Sequence, residues 1–271
     1  MTARELSVDD ALRNGWVELW YQPKIDLKRK CLAGAEALAR VRHPRDGLLL
    51  PESFLPGLDD DCLARLAEYA LLTTLQSWSL FVEAGFNLHL AVDVPASALS
   101  KVPIAALVTE NRPRSDAWPG LILEITEDQI VRDIAVAKQR ANELKSCGVT
   151  LAIDDFGAGY SSFSSLRNLP FAEIKLDGSF VKDCATDATS AAICQTAIDL
   201  AHRFGSMAVA EGIESMTDLQ ALQVMGCDFG QGALVAPPMP QQRFLELLRQ
   251  RNTAPRLQAA PATPAEVGRV A

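Results

Sequence analysis

This sequence predicts an α/β fold of a particular kind, an irregular (β/α)8 TIM-type barrel with an antiparallel first strand. Three observations point there. Apolar runs alternate with helical patterns along most of the chain, as in parallel strands joined by crossover helices. The first two runs, Trp16–Leu27 and Cys31–Val41, are separated only by Lys28-Arg29-Lys30. A parallel crossover needs about a dozen residues or more, so this pair must be an antiparallel hairpin. Finally, acidic residues recur at the ends of the runs, where a barrel of parallel strands gathers its reactive groups on one face.

The elements follow in order. Residues 1–18 read as a lead-in with a first helix or turn, before the hairpin. Asp59–Glu83 carries Leu63, Leu66, Ala67, Ala70, Leu71 and Leu75 at helical spacing. A strand at Leu88–Val94, a helix at Pro95–Glu110 and a loop rich in Pro, Arg and Ser come next. Strand Leu121–Thr126, helix Asp128–Cys147 and strand Val149–Phe156 repeat the unit, followed by a short helical segment near Ser162–Asn168. Strand Glu173–Leu176, helix Ala188–Phe204, strand Met207–Ala210, helix Met216–Met225, strand Phe229–Val235 and helix Gln241–Arg251 complete it. Gly148, Gly205 and Gly226 each stop a helix, because glycine takes the left-handed cap conformation without steric cost. The barrel thus spans 19–252, and the Ala/Pro-rich tail 253–271, which lacks an apolar period, is expected to be disordered.

Composition narrows the chemistry. The 271 residues are 48% hydrophobic and 22% charged, ordinary for a globular protein. A net charge of −8 argues against a nucleic-acid polymer as partner, since no basic stripe is present to release counterions. No apolar stretch has transmembrane length and no secretory signal is seen, so direct membrane contact is not expected and the cytoplasm is the expected location. Cys31, Cys62, Cys147, Cys184, Cys194 and Cys227 lack CxxC spacing and read as reduced thiols. His43, His89 and His202 lack the spacing of a metal motif.

The acids are Glu36 in AGAEALAR, Asp93 in LHLAVDV, Glu124 in LILEITE, Asp154 and Asp155 in LAIDDFGAG, Asp177 in EIKLD and Glu211 in AVAEGIE. Brought together on one face, they repel one another unless a cation holds them. With imidazoles and thiols unavailable, oxygen ligands favour Mg²⁺ or Mn²⁺ over Zn²⁺.

The segments YQPKIDL, EAL at Glu36-Ala37-Leu38 followed by Arg40, LEITE, DDFGAGYSS, EIKLDGSF, AEGIE and GCDFGQG together resemble the EAL domain family of bacterial cyclic di-GMP phosphodiesterases. The likeness runs from about Leu19 to Pro240. It implies hydrolysis of one phosphodiester bond of cyclic di-GMP to linear pGpG by water held between two divalent cations, Mg²⁺ or Mn²⁺. A phosphodiester is anionic and repels hydroxide, so such a site must supply positive charge and acidify water.

Carried over by resemblance, Glu36, Asp93, Glu124 and Asp154 hold the first cation, Asp154 bridges to the second, and Asp155 and Glu211 complete that side. Lys175 orients the attacking water or takes up its proton, and with Glu36 and Glu211 makes the catalytic set. Gln22, Glu36, Leu38, Arg40, Asp177, Glu214 and Gln231 match substrate contacts. Arg40 suits a phosphate by its fork geometry, and Gln231 supports the site through hydrogen bonds. Asp177 follows Lys175 by two residues, so in a strand it faces the same side. Glu127 matches the glutamate that steadies the loop after DDFG, 156–165 here; its carboxylate is placed to accept from loop amides or from hydroxyls such as Ser161 and Ser162. The family's loop also leads to a dimer interface, so a homodimer is expected.

The chain departs from the family pattern at three places. Asp93 stands where Asn is usual, Gly178 where Arg is usual, and Ala233–Pro237 where larger residues follow GQG. These leave an alternative reading, a catalytically weak cyclic di-GMP receptor or interaction module. No sensory or cyclase segment is recognised ahead of Leu19, so regulation is expected from oligomerisation, a separate partner or a portion of a longer protein.

Overall fold

The hairpin forms as its short connection requires. In a computed structural model that describes residues 7–127, 134–157 and 170–253, strands β1 (Val17–Asp26) and β2 (Cys31–His43) pair antiparallel from Val17 opposite Val41 to Asp26 opposite Cys31. β3 (Gly47–Leu49) adds antiparallel to β2. The parallel strands follow as β4 (His89–Asp93), β5 (Leu121–Thr126), β6 (Val149–Phe156), β7 (Phe171–Leu176), β8 (Met207–Ala210) and β9 (Phe229–Gly230). Neighbours run β1, β2, β4, β5, β6, β7, β8, β9 and back to β1, which closes an eight-stranded barrel. β1 runs against both of its barrel neighbours, β2 and β9, and also pairs with β10 (Met239–Pro240).

The crossover helices have recognisable ends. Asp59 caps Asp60–Glu83 by accepting from the Cys62 amide at 2.7 Å, Asp187 caps Ala188–Arg203, and Ser215 caps Met216–Met225. Gly226 closes the last of these at φ 85°. The main core lies between the barrel and its helices, where Leu71, Leu75 and Phe81 meet Leu90 and Leu123. Helix Gln241–Thr253 packs Phe244 against Tyr21 and Phe81, with ring centroids 5.8 and 5.0 Å apart.

Alternation turns the other face of each strand into the lumen. There Ala91, Ile122 and Ala152 touch one another, separate from the main core. Each stands two residues before a strand-end acid, Asp93, Glu124 or Asp154. These apolar side chains form a floor under the acids.

Several expectations need correction. The helix expected over Pro95–Glu110 is two, Ala96–Lys101 and Ile104–Asn111, because Pro103 has no N–H to continue the first. The last strand stops at Gly230 rather than Val235. Beyond it the backbone bonds to the segment after β8, with Leu234 N–H donating to Ile213 O at 3.0 Å. Short helices at Pro51–Phe54 and Gly178–Val181, and strands β3 and β10, were not expected. Helix Ile134–Ser146 falls within the expected span, while its start, the segment near Ser162–Asn168 and the tail beyond Thr253 lie outside the described residues.

Gly120 and Gly226 both have positive φ, but a Cβ at Gly120 would come 2.4 Å from Gly148 O, whereas one at Gly226 meets nothing within 4 Å. Gly226→Ala is expected to cost about 1 kcal/mol and Gly120→Ala roughly 3 kcal/mol or more. Urea denaturation of the two variants checks the ordering.

Candidate active site

The carboxylates that the strand ends carry meet at the C-terminal mouth of the barrel in two groups. Glu36, Asp93 and Glu124 form one, and Asp154, Asp155 and Glu211 the other, with one oxygen of each residue within 4.8 Å of its partners'. The barrel register produces this: Glu36 on β2 pairs with Ala91 on β4, and Asp93 pairs with Glu124 on β5. Glu211 follows β8 directly and donates its amide to Leu176 O at 3.2 Å. Asp155 takes a left-handed φ of 53°, which turns it away from the alternation that aims Asp154 inward.

Two side chains straddle the groups. Lys175 Nζ lies 3.4 Å from Glu36, 2.6 Å from Glu124, 3.0 Å from Asp154 and 2.8 Å from Glu211. Gln231 Nε2 donates to both Glu36 and Glu211, the second at 2.8 Å. Burial alone would push the Lys175 ammonium toward its neutral form, but Glu124, Glu211, Glu36 and Asp154 outweigh it and hold its pKa well above the lysine range.

The acids feel the opposite pressure. Loss of hydration, then the charge of Glu36, raises Asp93 well above the carboxylate range, against the pull of Lys175. Its side chain still reaches solvent at the open mouth, so water is in contact with one side while protein surrounds the rest. Glu124 is raised well above its usual value by burial, with Lys175 lowering it. Burial raises Glu211 to about 8, Lys175 again opposing. Asp155 is raised by burial and by neighbouring Asp154 and Asp177.

This donor set fits hard divalent cations. It is oxygen-only, it is split into two three-carboxylate groups, and Asp93, Glu124, Asp155 and Glu211 are pushed toward protonation by burial and by the neighbouring negative charges. Gln231 Oε1 is buried without a hydrogen-bond partner, so an acceptor remains for a cation or water.

The remaining expected residues surround this ring. Gln22 on β1 stands opposite Glu36 and donates to Ala236 O at 3.3 Å. Leu38 and Arg40 continue the Glu36 face of β2. Arg40 donates to Ala39 O at 2.9 Å, and its Nε is buried without a hydrogen-bond partner. Burial lowers its pKa, opposed by Glu52, Asp93 and Glu36. Glu214 is exposed between β8 and helix Met216–Met225. β7 stops at Leu176, where its end was expected, and Asp177 just beyond it caps Gly178–Val181, with Oδ1 accepting from the Ser179 amide at 2.8 Å. Glu127 is buried and accepts from the Gly157 amide at 3.0 Å. That is a loop amide, as expected; the expected hydroxyl partners Ser161 and Ser162 lie outside the described residues.

Sequence reasoning missed a second charged pair in the lumen. Lys24 and Glu173 are buried and bonded to each other. The signal was available, since Lys24 is two residues from Gln22 and Glu173 two from Lys175, which puts all four on lumen faces.

A family model described as the EAL domain matches residues 5–238. A cyclic di-GMP phosphodiesterase of Pseudomonas aeruginosa, PA2567, is 36% identical over 86% of this chain and 40% of its own length. RocR, a cyclic di-GMP phosphodiesterase of the same organism, is 37% identical over 89% of this chain and 62% of its own length. The chain therefore spans less than two thirds of either relative. Among solved structures, the PaMucR phosphodiesterase in complex with c-di-GMP superposes with a TM-score of 0.80 at 32% identity, covering 88% of this chain and 97% of that one. An EAL domain protein of Listeria monocytogenes gives 0.72 at 28% identity, covering 90% and 98%. No helix of the described residues is long and apolar enough to cross a membrane.

Removing the Glu127 carboxylate leaves the Gly157 N–H without its acceptor. Glu127→Ala is expected to speed hydrogen exchange at that amide about tenfold, while amides within β5 and β6 keep their protection. Exchange followed by mass spectrometry or NMR reads the difference.

Proposed function

This chain belongs to the EAL domain family, and on that premise we propose that it hydrolyses one phosphodiester bond of cyclic di-GMP to linear pGpG. The observation that carries the reading is the pair of three-carboxylate groups joined by Lys175 and Gln231 at the barrel mouth. In this reading Glu36, Asp93, Glu124 and Asp154 would hold one divalent cation, and Asp154 with Asp155 and Glu211 a second, Mg²⁺ or Mn²⁺. Such cations supply positive charge against the anionic phosphodiester and lower the pKa of water.

The protein's own groups do the positioning. Lys175 touches both carboxylate groups and is held protonated by them, which makes its Nζ a donor that fixes the attacking water. Gln231 ties Glu36 to Glu211 and keeps the two halves of the ring in register. Arg40, with a buried donor still free of a hydrogen bond, binds a phosphate oxygen. Gln22, Leu38, Asp177 and Glu214 line the substrate's path. Glu127, through the Gly157 amide, steadies the start of the segment after DDFG, and the assembly is a homodimer. The setting is cytoplasmic bacterial signalling, where hydrolysis lowers the level of the messenger.

Incubation with cyclic di-GMP and Mg²⁺ or Mn²⁺ is expected to yield pGpG on separation of products. EDTA in excess should lower the rate at least about 100-fold. Tight binding of cyclic di-GMP with no pGpG under saturating Mn²⁺ would move the protein to the receptor reading, which Asp93 and Gly178 motivate.

Asp93→Asn removes one of the three negative charges of its group and supplies an amide donor. Apparent Mg²⁺ affinity is expected to fall by about three- to tenfold while turnover holds or rises. Calorimetric Mg²⁺ titration, alongside the rate at saturating metal, decides it. Loss of turnover at saturating metal would show that Asp93 does something Asn cannot.

A further inference from the structure

The lumen ion pair beneath the acidic ring has no part in the function proposed above. Lys24 Nζ lies 2.7 and 2.5 Å from the two carboxylate oxygens of Glu173. β1 and β7 are not neighbours in the barrel, so the pair crosses the lumen, level with the floor made by Ala91, Ile122 and Ala152. Room is kept for it: a Cβ at Gly34 would come 3.3 Å from Lys24 Cε and 2.5 Å from His89 O. The Phe229 ring lies 5.5 Å from the ammonium.

Glu173 is two residues from Lys175 on the same face of β7, roughly 7 Å along the strand. A lysine stem is flexible enough to bend that far. Without Lys24, Glu173 would be an unpaired buried anion within reach of Lys175. It would compete for the ammonium with Glu36, Glu124, Asp154 and Glu211, which now share it.

We infer that Lys24 is a positioning residue: by neutralising Glu173 it keeps the Lys175 ammonium up in the carboxylate ring, and so sets the charge with which the ring meets a divalent cation. This rests on the reading of the ring as a cation site. The two halves of the pair then have opposite effects. Losing Lys24 makes the lumen more negative and draws Lys175 down, while losing Glu173 leaves a second ammonium below the ring.

The test is Mn²⁺ binding by calorimetry on three variants, with kcat and KM for cyclic di-GMP measured beside it. Lys24→Gln keeps a donor toward Glu173 but no charge. It is expected to bind Mn²⁺ about tenfold tighter and to lose about tenfold in kcat, with KM changed less than about threefold. Glu173→Gln is expected to bind Mn²⁺ about tenfold more weakly. The double variant Lys24→Met/Glu173→Met replaces the pair with apolar chains of similar length, a change that buried pairs tolerate. It should return to within about threefold of the wild-type Mn²⁺ affinity and kcat. Should one single variant fail to fold, the other still reports its own sign against the double. Single variants that shift Mn²⁺ affinity in the same direction, or a double variant as impaired as the singles, would reduce the pair to a packing element and overturn the inference. Wild-type protein that takes up no Mn²⁺ and yields no pGpG would overturn the functional reading and this inference together.

Discussion

One ammonium group holds the centre of this barrel. Lys175 contacts four carboxylates drawn from β2, β5, β6 and the end of β8, and each of those strands reaches it from a different part of the chain. At the separation of these oxygens two like charges repel by about 3–4 kcal/mol at an effective dielectric of roughly 20, and the ring contains several such pairs. A single lysine cannot neutralise six acids, which is why burial lifts Asp93, Glu124 and Glu211 so far. The ring is thus a built-in deficit of positive charge at the open end of the fold. The oxygen ligands and the division into two groups both express that deficit.

The architecture was legible in the sequence because its two signals are local. A three-residue basic connection forces the hairpin, and strand-end acids mark the mouth of a parallel barrel. The ring members Glu36, Asp93, Glu124, Asp154, Asp155 and Glu211 were named from those ends and from the family resemblance. What escaped was set by non-local geometry. The last strand was read too long because Phe229–Val235 is apolar enough for a strand, while its backbone partners lie in the turn after β8. The Lys24–Glu173 pair joins residues far apart in the chain: the two-residue spacing places each on a lumen face but does not pair them.

The departure at Gly178 has a local physical setting. Its Cβ position would lie 3.4 Å from the Gly212 Cα, and Gly212, at φ +62°, has Gly178 Cα 3.0 Å from its own Cβ position. The turns after β7 and β8 therefore meet backbone to backbone. That contact brings Asp177 and Glu211, at the starts of the two turns, onto adjoining parts of the rim. A side chain at Gly178 is at ordinary contact distance from Gly212, whereas one at Gly212 is both crowded and strained.

The seam that closes the barrel also dictates when it can close. β1, near the start of the described chain, finds its second edge only in β9 and β10, more than 200 residues later. Until Pro240 has been made, the hairpin of β1 and β2 has an unpaired edge, and the acids of the ring have no enclosing wall. Contacts of such sequence separation form slowly, because the entropy of closing the ring is spent before they reward it. During synthesis the parallel strands can accumulate one by one, but the ring is completed late. The chain must pass through open, edge-exposed forms, and it is in those forms, rather than in the finished barrel, that it is most exposed to association with other chains.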